Sequence, residues 1–358
     1  RAWAVPERLA NFAAFVRRNR TVILFLAGLL AFDIVIGQFA ALWQRHSPDD
    51  YAVRIAACGE RPRDFVFVGG SPVAEGLNPA AIAGFTRRGT PFQQGYTLGL
   101  SGGTTSDFYH AVIHACPTPP KLLVYGITAS DLNDSREEPH GPHSLLTWGD
   151  LAGWLRTRPE AGEWAVRHFL RGKLEQASNL FHYRHAIRMW SAFQAEAVLP
   201  GSCPQTLAEA TEQRDHAAEL ATGNGYAPMK GFQVAPFTEF KRIGTTGTRF
   251  DRLHYLDKYR TGSHLKYLHR LVDWSKANGV ELVLLEMPVT ADLEQMYAKE
   301  FATFRSRLAD VERDRGVTVL RPTRADVGLT NDQFADLIHM NRDGAKRMSA
   351  WVREKLGG

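Results

Sequence analysis

The sequence predicts an α/β fold, a three-layer sandwich around a mainly parallel sheet, carried on one N-terminal transmembrane helix. Short apolar runs of strand length end in glycine and lead into stretches with helical patterning. This alternation of strand and helix recurs from about residue 64 to the C-terminus, with one interruption. A long apolar stretch stands near the N-terminus, apart from both.

The anchor is the first element. From Thr21 to Trp43 the only charge is Asp33, and at about 1.5 Å per residue this stretch crosses a hydrocarbon core of roughly 30 Å. Arg8, Arg17, Arg18 and Arg20 precede it, whereas Asp49 and Asp50 follow soon after Arg45. The positive-inside bias therefore places residues 1–20 in the cytoplasm and residues 44–358 outside it, on the far side of the cytoplasmic membrane. A cleaved signal peptide is the competing reading, against which stand the length of the stretch and the lack of a clean small-residue cleavage site. A carboxylate inside such a span costs about 2.5–3.5 kcal/mol on insertion scales. Asp33 is thus expected either to meet a polar partner in another membrane protein or to be protonated or snorkel.

Beyond the anchor, Asp64–Val68 reads as a buried strand that turns abruptly at Gly69-Gly70-Ser71. Asn78 and Pro79 open a short helix to about Phe85. Phe92–Leu100 has strand character, Ser106–His114 is helical, and Lys121–Gly126 is a third strand. Residues 132–262 show no strand alternation and are expected to form a mostly helical insertion, with a helix at Phe181–Glu196 and partial loop from Gly201 to Gly247. Regularity returns with a helix at His264–Asn278, a strand at Val280–Glu286, a helix at Ala298–Arg315, a strand at Val317–Leu320 and a terminal helix at Asp343–Leu356. In such sheets ligands sit beyond the carboxyl ends of the strands. Ser71, Gly102 and Thr128 each lie just past a predicted strand end.

Composition narrows the function. A chain of 358 residues with 44% apolar and 23% charged content suits one large catalytic domain plus an anchor. Despite a net charge of +5, no run of five basic residues occurs, and nucleic-acid binding is not expected. Cys58, Cys116 and Cys203 form no CxxC pair and no Cys/His cluster, so neither a structural zinc nor another cofactor is implied. In an exported domain Cys58 and Cys116 either form a disulfide or remain thiols. His140, His143, His182 and His185 lack acidic companions at ligand spacing, and the eight tryptophans are scattered, as packing residues are.

The chemistry-bearing residues are few. A serine hydroxyl becomes nucleophilic when a base takes its proton, and an imidazole does this best when a carboxylate orients it. Asp336 stands three residues before His339 on a predicted loop, close enough to reach Nδ1 and leave Nε2 for a distant serine. Taken alone, Gly69-Gly70-Ser71 fits a tight strand-to-helix turn, and Asp336 with His339 fits a polar turn with a surface histidine. For the residues by themselves these plainer readings stand ahead of catalysis. Neither phosphate-loop glycine pattern is present.

GGSP at Ser71, GLSGGT around Gly102, the segment after Gly126 and DLIHMN around His339 resemble, in order, the four spaced blocks of the SGNH (GDSL-like) hydrolase superfamily. The resemblance covers about residues 65–131 and 280–356, not the middle. With the N-terminal anchor, the strand ending in Met287-Pro288, and the run His339, Asn341 and Gly344, it is nearest to membrane-anchored proteins of polysaccharide O-acetylation and teichoic acid D-alanylation. The resemblance implies Ser71 as nucleophile, His339 as general base and acid, and Asp336 as its orienting partner. It implies an oxyanion hole of the Ser71 and Gly102 amides and a side chain after the third strand. Pro72 has no N–H, which fits a hole built on the serine's own amide. Where the family has asparagine, this chain has Thr128, with Ser130 a second hydroxyl nearby. Loss of one oxyanion donor can cost about 3 kcal/mol, so simple-ester hydrolysis is expected to be poor.

The resulting expectation is O-acyl, most often O-acetyl, transfer to an extracytoplasmic polysaccharide or cell-wall polymer. The donor is expected to be a multispanning membrane acyltransferase docked on the anchor helix, with Asp33 as the candidate contact. Two alternatives remain: a carbohydrate esterase or lipase with water as acceptor, and a non-catalytic glycan-binding subunit of a membrane acylation complex.

Overall fold

A computed structural model of the chain describes residues 17–45, 50–135, 145–157, 162–202 and 256–357, and, between 203 and 227, residues 208, 211, 215, 218–220 and 222–227. The chain forms two compact units, residues 1–48 with 170–213 and residues 49–169 with 214–358. The segment expected as one insertion, about 132–262, is therefore divided between them.

The larger unit is a mixed α/β fold on a parallel sheet. Its strands are β1 (Phe65–Gly69), β2 (Phe85–Arg87), β3 (Thr90–Phe92), β4 (Gly95–Gly99), β5 (Leu122–Ile127), β6 (Glu281–Glu286) and β7 (Thr318–Leu320). Five of these pair in parallel in the order β4-β1-β5-β6-β7. β2 and β3 form a separate antiparallel hairpin. The single strand expected at Phe92–Leu100 is thus two elements: Phe92 ends the hairpin, and β4 begins at Gly95.

The helices are α1 (Arg20–Gln38), α2 (Ala40–Arg45), α3 (Asp50–Gly59), α4 (Ser71–Gly76), α5 (Pro79–Ile82), α6 (Thr105–Ala115), α7 (Trp148–Thr157), α8 (Gly162–Ala177), α9 (Asn179–Val198), α10 (Ser263–Ala277), α11 (Ala291–Met296), α12 (Ala298–Arg315), α13 (Arg324–Val327) and α14 (Arg342–Gly357). The sheet carries a core on each face. Val66, Val68, Leu123, Tyr125, Leu282 and Leu284 pack with residues of α6, α10 and α12. Phe65, Phe67, Leu122, Val124, Val283 and Leu285 pack with α4, α5 and α14. Burial on both faces is why these strands read as continuous apolar runs with no alternation.

From β1 the chain runs to β4 on one side, then crosses back to β5 on the other. This reversal opens the crevice in which doubly wound sheets bind ligands, beyond the carboxyl ends of the strands. Two glycines let α4 settle there: a Cβ on Gly99 would stand 2.4 Å from Ala74 Cα, and one on Gly126 would stand 2.3 Å from Val73 Cγ2.

In the smaller unit, α1 is long and apolar enough to cross a membrane, with a mean hydropathy of 2.1; a signal sequence has the same character. Asp33 meets its polar partners inside its own chain, an arrangement neither sequence reading considered. Its Oδ1 accepts from the Ser178 hydroxyl at 2.7 Å and the Leu180 amide at 2.8 Å. Its Oδ2 accepts from the Asn179 amide at 3.1 Å and Asn179 Nδ2 at 3.3 Å. Beyond Asp33, Ile36 and Trp43 pack against Ala186 and Trp190 of α9.

Cys58 and Cys116 are buried free thiols, and the neighbouring Cys116 together with burial pushes the Cys58 thiol's pKa up. Cys203, His140 and His143 lie outside the described residues.

Candidate active site

The serine comes from the end of β1. Gly70 is the N-cap and Ser71 the first residue of α4, a helix the sequence reading did not anticipate. At this position an amide has no acceptor within the helix and points out of its N-terminus. Pro72 sits in the first turn, where its missing N–H costs nothing. Of α4, Ser71 and Glu75 reach the surface, while Pro72, Val73, Ala74 and Gly76 are buried.

The histidine and aspartate come together on one tight turn before α14. A backbone bridge between Phe334 and Met340 closes this turn, and the Ala335 amide donates to the His339 carbonyl at 2.7 Å. Asp336 Oδ1 accepts from the Ile338 amide at 2.8 Å and the His339 amide at 2.7 Å. Asp336 Oδ2 is left for His339 Nδ1, at 2.6 Å. The Thr290 amide, beyond β6, donates to the Leu337 carbonyl at 3.1 Å and holds the turn at the sheet edge. Asn341 accepts from the Asp343 and Gly344 amides at 3.1 Å each, opening α14. A Cβ at Gly344 would stand 2.2 Å from the Gln333 carbonyl. These two residues of the His339, Asn341, Gly344 run therefore hold the turn in shape.

Across the crevice His339 Nε2 lies 2.7 Å from Ser71 Oγ. The structure thus joins Ser71, His339 and Asp336 in one chain of hydrogen bonds, with the side chains of His339 and Asp336 15% and 28% exposed. Burial opposes ionisation of both. For His339 the hydrogen bond and charge of Asp336, with the Glu75 charge, outweigh burial and raise its pKa above the usual imidazole range. For Asp336 the His339 contact and two backbone amides likewise outweigh burial and lower its pKa. An imidazole in this setting accepts a proton from the serine, and the carboxylate steadies the imidazolium that forms.

The other predicted site residues lie at the same edge. Gly69 is in register with Gly99 and Gly126, so Ser71, Gly102 and Thr128 follow three adjacent strand ends. Gly102 is in the left-handed region at φ 76°. The Thr128 amide donates to Asp131 at 2.8 Å, and its hydroxyl lies 2.8 Å from that of Ser130. When Ser130 donates in that pair, the Thr128 proton is left to point elsewhere.

Sequence reasoning missed Glu75. It stands one turn beyond Ser71 on the same helix face, a spacing that was legible once α4 was recognised. The Ala227 amide donates to the Ala74 carbonyl at 3.3 Å, which brings the chain back over α4. Burial raises the Tyr226 phenol's pKa, a shift opposed by the Arg342 charge and reinforced by that of Glu75. Among the described residues no group of three or more His, Cys, Asp or Glu side chains is placed to hold a metal.

Comparison with protein-family models finds no match, and comparison with curated proteins finds none either.

Proposed function

We propose that the protein is a membrane-anchored, SGNH-like serine O-acyltransferase acting on an extracytoplasmic polysaccharide or cell-wall polymer. The observation that carries this reading is the 2.7 Å separation of Ser71 Oγ and His339 Nε2, with Asp336 on the opposite ring nitrogen. In the first half-reaction Ser71 Oγ attacks the acyl carbonyl as its proton passes to His339. The oxyanion is held by the Ser71 amide, Gly102 and the Thr128 hydroxyl. The leaving group takes the proton from His339, and the acyl group stays on Ser71. In the second, His339 takes the proton of a sugar hydroxyl whose oxygen attacks the acyl-serine carbonyl; the bond to Ser71 Oγ breaks, the acyl group leaves on the sugar, and His339 returns the proton to Ser71.

The donor in this reading is a multispanning membrane acyltransferase docked on the anchor, because coenzyme A thioesters are not found outside the cytoplasm. Thr128 in the place of an asparagine donor favours a positioned sugar hydroxyl over water as acceptor. A serine-directed fluorophosphonate should label the wild type at Ser71, located by peptide mass mapping, and leave Ser71→Ala unlabelled. Polymer acylation that persists in cells carrying Ser71→Ala would exclude this enzyme reading and favour a glycan-binding assembly subunit. Release of free acid with acceptor polymer present would favour an esterase.

A further inference from the structure

The hydrogen bonds between Asp33 and the start of α9 carry a consequence for where residues 170–190 reside. A helix N-terminus presents amides with no intrahelical acceptor, and each must find another partner. At α9 the accounting is complete. Asp33 takes the amides of Asn179 and Leu180, the Ser178 hydroxyl takes that of Phe181 at 3.1 Å, and the Ser178 carbonyl takes that of His182 at 2.9 Å. In water neither the carboxylate nor these amides needs the other. In hydrocarbon both do, since an irregular turn there is tolerated only when its backbone groups are satisfied by protein.

We propose that the end of α8 and the start of α9 form a helical hairpin that dips into the outer leaflet beside the anchor, with lipid chains as the occupant of its exposed apolar side. The inference rests on α1 being a membrane span. Arg20 marks the inner boundary, and Asp33 lies about 20 Å further along the helix, roughly 10 Å beneath the outer boundary of a ~30 Å core. The turn at Ser178 is tied to that depth. Gly37 makes room for it, since a Cβ there would stand 2.7 Å from Asn179 Nδ2. α9 then follows the anchor outward, Asn179 beside Gly37 and Trp190 against Trp43 at 5.6 Å. Glu175 pairs with Arg171 at 3.2 Å and Arg184 at 3.0 Å, which sets the last turns of α8 beside α9.

The surface left over continues the lipid-facing side of α1. Leu170 and Leu174, one turn apart on α8, are 56% and 46% exposed, matching 59% at Leu24 and 56% at Leu26. Arg171 and Arg184 meet Glu175 inside the hairpin, so the charges that enter the leaflet are paired, and the stem of Arg188 is long enough to lift its charge to the phosphate layer.

The test uses the full chain with Cys203→Ser, in vesicles of phosphatidylethanolamine and phosphatidylglycerol containing doxyl-labelled lipid. A fluorophore is placed singly at Leu26→Cys, Leu170→Cys, Leu174→Cys or Gln194→Cys. The lipid quencher should reduce emission at positions 26, 170 and 174 and leave 194 bright, and adding Asp33→Leu should abolish quenching at 174 while retaining it at 26. Quenching at 26 with none at 170 and 174 overturns the hairpin and leaves the anchor standing. No quenching at 26 overturns both. Shielding of 174 from both lipid quencher and aqueous iodide would assign that face to protein and overturn the lipid assignment.

Discussion

His339 and its two carboxylate neighbours set how the proposed reaction responds to pH. The base must be neutral to take the Ser71 proton, and Asp336 and Glu75 both favour the imidazolium. Activity should therefore rise with pH, through a midpoint above that of an ordinary imidazole. Glu75→Gln removes one of the two negative charges, so the midpoint should fall toward lower pH while fluorophosphonate labelling of Ser71 persists. An unchanged profile would mean that Glu75 does not act on His339. Asp336→Asn removes the acceptor that fixes the imidazole tautomer and should lower kcat by about 10³–10⁴-fold, with folding checked by near-UV circular dichroism. Ser71, Asp336 and His339 were expected together because of the order of motifs behind the resemblance; the residues alone suggested only that Asp336 and His339 share one turn and that Ser71 ends an apolar run. Glu75 was not, because its partner lies at the far end of the chain and only folding brings them near.

At the level of elements, the site depends on how closely α4 sits on the strand ends. Gly126→Ala would put a methyl group 2.3 Å from Val73 Cγ2, and overpacking of this kind costs about 1–3 kcal/mol. The expected result is a modest drop in Tm with a disproportionate loss of activity, because the displaced element carries Ser71. Equal and small losses would show that the helix adapts. The strands β1, β5, β6 and β7 and the helices α6, α10, α12 and α14 were legible within a residue or two, since each is a long apolar or amphipathic stretch with a clear stop. α4 was hidden because Ser71–Gly76 is too short to show a helical period and begins Ser-Pro. Phe92, the end of β3, was joined to β4 because Gln93-Gln94 is a weak break; the rest of the β2–β3 hairpin was not read, and Phe85, which begins β2, was placed at the end of the helix that stops at Ile82. The insertion misled for a third reason: α9 packs on α1 and α2, a contact that local periodicity does not encode.

For the molecule as a whole, the proposal divides labour between an anchor unit and a catalytic unit. Removing residues 1–43, which also strips α9 of its packing partners, should leave a protein that still reacts with fluorophosphonate yet fails to acylate polymer in cells. Full polymer acylation by that truncated form would refute delivery through the anchor. The order of the catalytic parts along the chain has a further consequence. Ser71 follows the first strand, whereas His339 comes 268 residues later and depends on α14, whose Ser349 hydroxyl accepts from the Asn78 amide at 3.0 Å. Under the proposed reading, a folding chain holds a serine without its base until α14 has docked, so reactivity arrives only with long-range assembly.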